Sequence, residues 1–230
     1  MPGHPSEPLA TFPLFRSLQD TELAAIGAKC IQRHFQRNDW VVAPHEANTN
    51  VFFVLKGTLR LQMPRTAGRE IIFREFGPGD YFGGVSTFHG RPRGAGVFAL
   101  TDVALIRMRG SVFREVIHNH ADVCDQVLSR LANDIRELAN RVNEFSTLDI
   151  RHRLYAELLR QSRPRDGGNH AVISPPPLQS KIAACISARR EPVTREMKAL
   201  ERAGLLRRSR GILEITDTKR LHDMIGDGEA

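Results

Sequence analysis

Cysteine is scarce in this chain of 230 residues: Cys30, Cys124 and Cys185 are widely spaced and odd in number. That excludes a disulfide scaffold and most cysteine-built metal cages. No apolar run approaches the ~18 residues a membrane-spanning helix needs, so the sequence reads as having no membrane partner. Residues Met1 to Ala10 are polar and proline-rich. They lack the basic-then-apolar order of a secretory leader, and a cytoplasmic protein is expected. What remains is an ordinary globular balance, with 41% hydrophobic and 26% charged residues, and length enough for one large domain or two modest ones.

The charge is unevenly spread. Lys and Arg number 33 against 26 Asp and Glu, a net of +7. Residues 147–230 hold 16 basic and 11 acidic side chains, and residues 181–210 alone hold 9 against 3. A basic excess packed into so short a stretch points to an anionic partner for the C-terminal third, nucleic acid first.

Three periodicities divide the chain. A short helix is expected from Ser17 to about Lys29, with Leu18, Leu23 and Ile26 on one face. Residues 31–108 then read as β-structure. Val51-Phe52-Phe53-Val54-Leu55 is a compact apolar run, while Leu59, Leu61 and Met63 alternate with Arg60 and Gln62. Glu70 to Phe76 and Gly96 to Met108 are further strand candidates. Turn signals fall between them at Ala67-Gly68, Gly77-Pro78-Gly79-Asp80, Gly83-Gly84 and Gly90-Arg91-Pro92. Many short strands at this spacing indicate a sandwich or roll.

From Ala121 the period becomes seven. Ala121, Leu128, Ile135 and Val142 fill one set of positions and Cys124, Leu131, Leu138 and Phe145 the other. This seam runs over about 25 residues, roughly 37 Å of helix. Branched residues at the first position with Leu at the second favour a parallel two-stranded coiled coil. The expected interface is Leu128, Leu131, Ile135, Leu138, Val142 and Phe145, with Val123 and Val127 left to pack on the β-domain. A helix from about Leu148 to Arg160 and a loop from Ser162 to His170 follow.

Leu178 to Leu206 read as two short helices joined by a tight turn, the second carrying Val193, Met197 and Leu200 at helical spacing. Leu205-Leu206, a basic turn from Arg207 to Gly211, and Ile212 to Ile215 read as a hairpin that packs behind them as a wing. In a helix-turn-helix the second helix offers its N-terminal side chains to the major groove. Here those are Arg189, Arg190, Glu191, Thr194 and Arg195. Arginine donates two hydrogen bonds to guanine O6/N7, and glutamate accepts one from cytosine N4. Pro192 falls in the first turn, where it is tolerated.

Taken in order, these features resemble the cyclic AMP receptor protein/fumarate–nitrate regulator (CRP/FNR) family of bacterial transcription regulators. The resemblance covers about residues 12 to 222. It rests on Gly57, on Gly77-Pro78-Gly79-Asp80-Tyr81-Phe82-Gly83, on Arg91-Pro92-Arg93, on the long helix, and on Arg190-Glu191-Pro192-Val193-Thr194-Arg195. It implies an α+β protein: a β-roll sensor domain of the cyclic-nucleotide-binding, jelly-roll kind over 1–120, a dimerisation helix over 121–146, and a winged helix-turn-helix over 147–230. It also implies a homodimeric, non-enzymatic regulator of double-stranded DNA, with RNA polymerase as partner for an activator. An Arg at position 190 is similar to the cyclic AMP receptor branch, whose half-site is TGTGA. Thr194 stands where the fumarate–nitrate branch has Ser. The family's turn glycine is Ser187 in this chain, and its Ser/Thr before the first reading Arg is Arg189.

The family's nucleotide pocket implies a ligand site at Gly83, Gly84, Arg93, Gly94 and Leu138. Arg93 matches the phosphate-binding Arg. However, Gly84 stands at the ribose-binding Glu, Gly94 at the Ser/Thr after the Arg, and Leu138-Ala139 at the base-reading Thr-Ser pair. With three of four polar handles missing, ordinary cyclic AMP is disfavoured. Another cyclic nucleotide or anionic effector held by Arg93 stays open, and no cofactor is required. Residues 1–29 contain no cysteine for the family's iron–sulfur cluster, and none of nine histidines stands in a recognisable haem-ligand arrangement. Cys185 is open to two readings, a thiol switch near the DNA or a buried structural thiol. The rival classes are a cupin-like enzyme, for which His34, His45 and Glu46 offer no H-x-H spacing, and a ligand-binding module acting on a protein partner.

Overall fold

The computed structural model describes residues 6–66, 69–89, 94–165 and 168–226. The chain forms two compact units that divide between Asp134 and Ile135. In the first, α1 (Ser6–Ala10), a 3-10 turn (Pro13–Phe15) and α2 (Asp20–Ala28) lead into β1 (Cys30–Phe35), β2 (Trp40–Val42), β3 (Val51–Lys56), β4 (Leu59–Thr66), β5 (Arg69–Phe76) and β6 (Tyr81–Phe82). A short α3 (Gly84–His89), β7 (Gly96–Ala99), β8 (Val103–Met108) and α4 (Gly110–Asn119) follow, and α5 (Ala121–Thr147) starts here and ends in the second unit.

The strands form two antiparallel sheets, β1-β8-β3-β6 and β2-β7-β4-β5. Strand β3 is buried at four consecutive positions, Val51 to Val54, because both its faces are covered. Phe52 and Val54 point between the sheets with Phe76, Phe82, Val97 and Leu105. Val51 and Phe53 point the other way, into a layer of helices. There Phe53 meets Phe12 and Phe15 at 5.2 Å each, Tyr81 at 5.7 Å and Phe113 at 6.4 Å between ring centroids. Such offset and edge-on ring pairs add to the area buried. Gly57 turns β3 into β4 with φ +90°, and a Cβ there would come within 2.4 Å of the Asp102 carbonyl oxygen. No side chain fits.

Sequence and structure part at several boundaries. Helix α2 starts at Asp20 rather than Ser17, because the Glu22 carboxylate accepts from the Gln19 backbone N–H at 2.8 Å and fixes the first turn. Gly96 to Met108 is two strands, and α3 begins within the Gly83-Gly84 turn signal. The turn signals at Ala67-Gly68 and Gly90-Arg91-Pro92 lie outside the described residues.

Helix α5 is about 40 Å long. Val123 and Val127 are buried in the helical layer of the first unit, and Cys124 and Leu131 are partly buried against it. Leu131 therefore does not belong wholly to the open seam expected of it: spaced four residues from Val127, it continues the ridge that packs inward. Leu128, Ile135, Leu138, Val142 and Phe145 stay 42–66% exposed.

The second unit opens with α6 (Ile150–Gln161), which starts two residues later than expected because Asp149 caps it. The Asp149 carboxylate accepts from the backbone N–H groups of Arg151 (2.8 Å) and His152 (3.0 Å). Then come β9 (Arg163–Arg165), β10 (His170–Ile173), α7 (Gln179–Cys185), α8 (Arg190–Arg202), β11 (Leu206–Ser209), β12 (Ile212–Ile215) and α9 (Thr218–Gly226), with the strands ordered β11-β12-β10-β9. The expected loop at Ser162 to His170 is in fact bounded by paired strands, β9 against β10. Arg163-Pro164-Arg165 is an exposed edge strand, where proline is allowed and no alternation betrays the pairing. Leu154, Tyr155, Ile182, Val193, Leu213 and Leu221 fill the core beneath.

Candidate nucleic-acid interface and sensor site

Helix α8 has two faces fixed by its sequence. Val193, Met197 and Leu200 recur at helical spacing and are buried. Arg190, Glu191 and Arg195 are exposed, and Arg189 stands exposed at the N-cap. Helix α7 approaches through the buried Ala183, whose carbonyl oxygen accepts from Ala188 N–H at 2.9 Å across the turn. Ser187 sits in that turn with φ +52°, the left-handed region, which accounts for glycine being the family's choice there.

Polar contacts that sequence periodicity could not reveal hold α8 in place. Fully buried Tyr155 of α6 donates to one oxygen of Glu196, and Arg151 meets the other at 3.1 Å. Burial, and then the bond to Glu196, push the Tyr155 hydroxyl up to about 12, so it remains a donor at any ordinary pH. Thr194, expected among the base readers, is half-buried. Its hydroxyl lies 2.7 Å from the Gln179 carboxamide oxygen and 3.0 Å from the Arg190 carbonyl. Arg195, Lys198, Glu201 and Arg202 line a shallow groove on the same helix. Glu201 reaches out of it to Arg208 of β11 at 3.0 Å.

The wing is anchored by Glu214. Its carboxylate is buried beneath the Arg207 guanidinium, which donates through Nε (2.9 Å) and an Nη (2.7 Å), with Arg165 at 3.7 Å. The turn Arg210-Gly211 has positive φ at both residues, the geometry that suits a two-residue hairpin. Cys185 is buried in α7, as the structural-thiol reading requires.

In the sensor unit, Gly83 (φ +103°) leads into α3 at Gly84, and Gly94 is exposed. Arg93 lies outside the described residues. Leu138 is exposed on the part of α5 grouped with the second unit. Two cross-links missed in the sequence tie α5 to the β-roll. The Arg130 guanidinium lies 4.2 Å from the centre of the Tyr81 ring and donates to the Tyr81 carbonyl at 3.0 Å; Arg74 of β5 pairs with Asp134 at 2.9 Å. Among the described residues no three His, Cys, Asp or Glu side chains cluster as metal ligands. None of the helices there is long and apolar enough to cross a membrane.

Two family models match the chain: the cyclic nucleotide-binding domain over residues 32–120 and the Crp-like helix-turn-helix domain over residues 152–224. Over 218 residues the chain is 25% identical to the CRP-like cAMP-activated global transcriptional regulator of Mycobacterium tuberculosis, spanning 94% of this chain and 97% of that protein. Its fold is similar to that of a CooA variant from Carboxydothermus hydrogenoformans (TM-score 0.74, 17% identity, 86% and 88% of the two chains). It is also similar to a CRP/FNR-family transcriptional regulator from Thermus thermophilus (TM-score 0.64, 23% identity, 87% and 100%). A cyclic nucleotide-binding fold followed by a helix-turn-helix of this type defines a DNA-binding transcription regulator with a sensor domain. Within that class, the chain belongs to the CRP/FNR family.

The wing anchor predicts an acid sensitivity. The Arg207 guanidinium, against the opposing effect of burial, holds the Glu214 carboxyl below its ordinary 4.5. Because the folded value lies below the ordinary one, the stability this contact contributes is complete above 4.5 and is lost as pH falls from there through the depressed value. Thermal melts between pH 7 and pH 3 should show a fall in melting temperature that is smaller in Glu214→Gln. Parallel curves for the two proteins would remove Glu214 as its source.

Proposed function

We propose that the protein acts in the cytoplasm as a homodimer, each chain laying α8 in a major groove of one palindromic duplex. The observation that carries this reading is the set Arg189, Arg190, Glu191 and Arg195, exposed on the first turns of a helix whose other face is held by Val193, Met197, Leu200 and Glu196. Arg190 and Arg195 donate to guanine O6/N7, Glu191 accepts from cytosine N4, and Arg189 meets a phosphate. The exposed α5 row of Leu128, Ile135, Leu138, Val142 and Phe145 is covered by the same row of a second chain, which sets the two readers about one helical turn, ~34 Å, apart. An activator of this design contacts RNA polymerase.

The sensor is proposed to work without ordinary cyclic AMP. Gly84 and Gly94 lack the side chains that hold ribose and phosphate, and Leu138-Ala139 offer apolar surface where hydroxyls would read the base. Each missing hydrogen bond to a neutral group is worth about 0.5–1.5 kcal/mol and to a charged one about 1.5–3 kcal/mol. Three losses remove several powers of ten in affinity. Support for a ligand-free setting comes from Arg130 on Tyr81 and Arg74 with Asp134, which join the roll to α5 through the protein's own side chains. Any effector that does bind is anionic and uses Arg93.

Three outcomes are expected. In gel-shift titrations on a palindrome, Arg190→Ala should lose about 1–3 kcal/mol and relax selectivity at one G·C pair; uniform weakening on every sequence would assign Arg190 to phosphate alone. Ile135→Glu with Val142→Glu should bury charge in the α5 seam and give a monomer in sedimentation runs, whereas a persistent dimer would move the interface elsewhere. Calorimetry should detect no micromolar binding of cyclic AMP, and operator affinity should not change when it is added. Tight binding that raises that affinity would overturn the ligand-free setting.

A further inference from the structure

Arg74 leaves β5 on the same side as buried Phe76, and its guanidinium lies 5.6 Å from the centre of that ring. Glu75 between them points the other way, to Arg60 at 2.9 Å. A bulge in the pairing with β4, where Leu61 lies opposite Arg74 and Gln62 opposite Ile72, re-aims the strand just there. A guanidinium on the core-facing side of a strand needs an anion beside it. The anion comes from α5. Val123, Val127, Arg130 and Asp134 fall on one stripe of that helix, so the ridge that packs inward as valine ends in two charges. Arg130 lies against the Tyr81 ring, and Asp134 meets Arg74 at 2.9 Å. The Tyr81 hydroxyl feels the whole group: burial raises its pKa, Arg130 lowers it, Asp134 raises it and Arg74 lowers it. Two positive charges and one negative thus gather at Tyr81, and the carboxylate side chain is still 37% exposed. Resting on the ligand-free setting proposed for the sensor, we infer that Arg74, backed by the charge of Arg130, is an oxyanion site that Asp134 fills from within the chain. The Asp134 carboxylate then does the clasping of roll to helix that an external anion would otherwise do. The site takes a small carboxylate once Asp134 is removed. While Asp134 is present, a carboxylate already held in place by the helix outcompetes a free one.

The test is chemical rescue on the full-length protein, read as dissociation constants for a palindromic duplex and as melting temperatures. Asp134→Ala, a change that favours the helix, should weaken operator binding by about twofold to fivefold, the range for opening a half-exposed ion pair. Sodium formate at ~0.1 M should restore most of that loss and raise the melting temperature of the variant, while sodium chloride at the same ionic strength should do neither. The parent should respond to formate no more than to chloride, because its site is filled. Asp134→Asn should lose as much as Asp134→Ala and gain nothing from formate, since the carboxamide still occupies the space. Adding Arg74→Gln to Asp134→Ala should abolish the rescue without a further loss of affinity, because both changes open one contact. Parental affinity in Asp134→Ala would overturn the site and leave the ligand-free setting intact. So would a loss that formate does not relieve, or relief that survives Arg74→Gln. Tight cyclic AMP binding by the parent that raises operator affinity would overturn the setting and this inference together.

Discussion

Helix α5 must satisfy two apolar edges at once, and the architecture follows from that constraint. Val123 and Val127 are consumed by the helical layer over β3, together with part of Cys124 and Leu131. From Leu128 to Phe145 a second row of large apolar side chains remains in water. A contiguous row of that length is unusual on a monomer surface. It continues past the point where the first unit ends, into turns held by the second unit. There Arg141 pairs with the buried carboxylate of Glu157 at 3.5 Å, and Arg160 pairs with both Glu157 and Glu144. The proposed second chain covers an edge that neither unit of the first can reach with its own core.

Acids do the positioning in the basic unit. Glu157, Glu196 and Glu214 are each mostly buried, and each is bound by arginine: Arg141 and Arg160, Arg151, and Arg207. Removing one partner of such a contact leaves a charge stranded in a poor solvent, so truncating either side costs more than the contact itself adds in net stability. Arg207, held by Glu214, and Arg208, held by Glu201, reach the surface with much of their rotamer freedom already spent, which lowers the entropy lost when they meet an anion.

Much of this was legible in the sequence, for reasons that differ by element. Helix α8 was visible because Val193, Met197 and Leu200 impose a period, and the exposed arginines follow from it. Strand β3 was visible as an apolar run, though only the structure shows that Phe53 faces helices and Phe52 faces the other sheet. The heptad pattern gave the long helix but could not tell that Leu131 belongs partly to the roll, since a repeat records spacing and not which neighbour is nearest. Strand β9 was hidden by its proline and its exposure. Gln179, Glu196 and Glu214 were invisible, because a polar side chain acting through one tertiary contact leaves no trace in composition or period. Of the ligand-pocket residues, Gly83, Gly84, Gly94 and Leu138 are described, and Arg93 lies outside the described residues.

The open row on α5 has a consequence for how such a regulator answers the cell. If two chains must meet along that row before either palindrome half is held firmly, occupancy of the operator at low abundance rises with the square of the amount of protein rather than in proportion to it. In the proposed ligand-free setting, with roll and helix joined by Arg130 on Tyr81 and Arg74 with Asp134, synthesis and degradation would be the input. Gene dosage and protein lifetime would then do the work that a diffusible messenger does elsewhere.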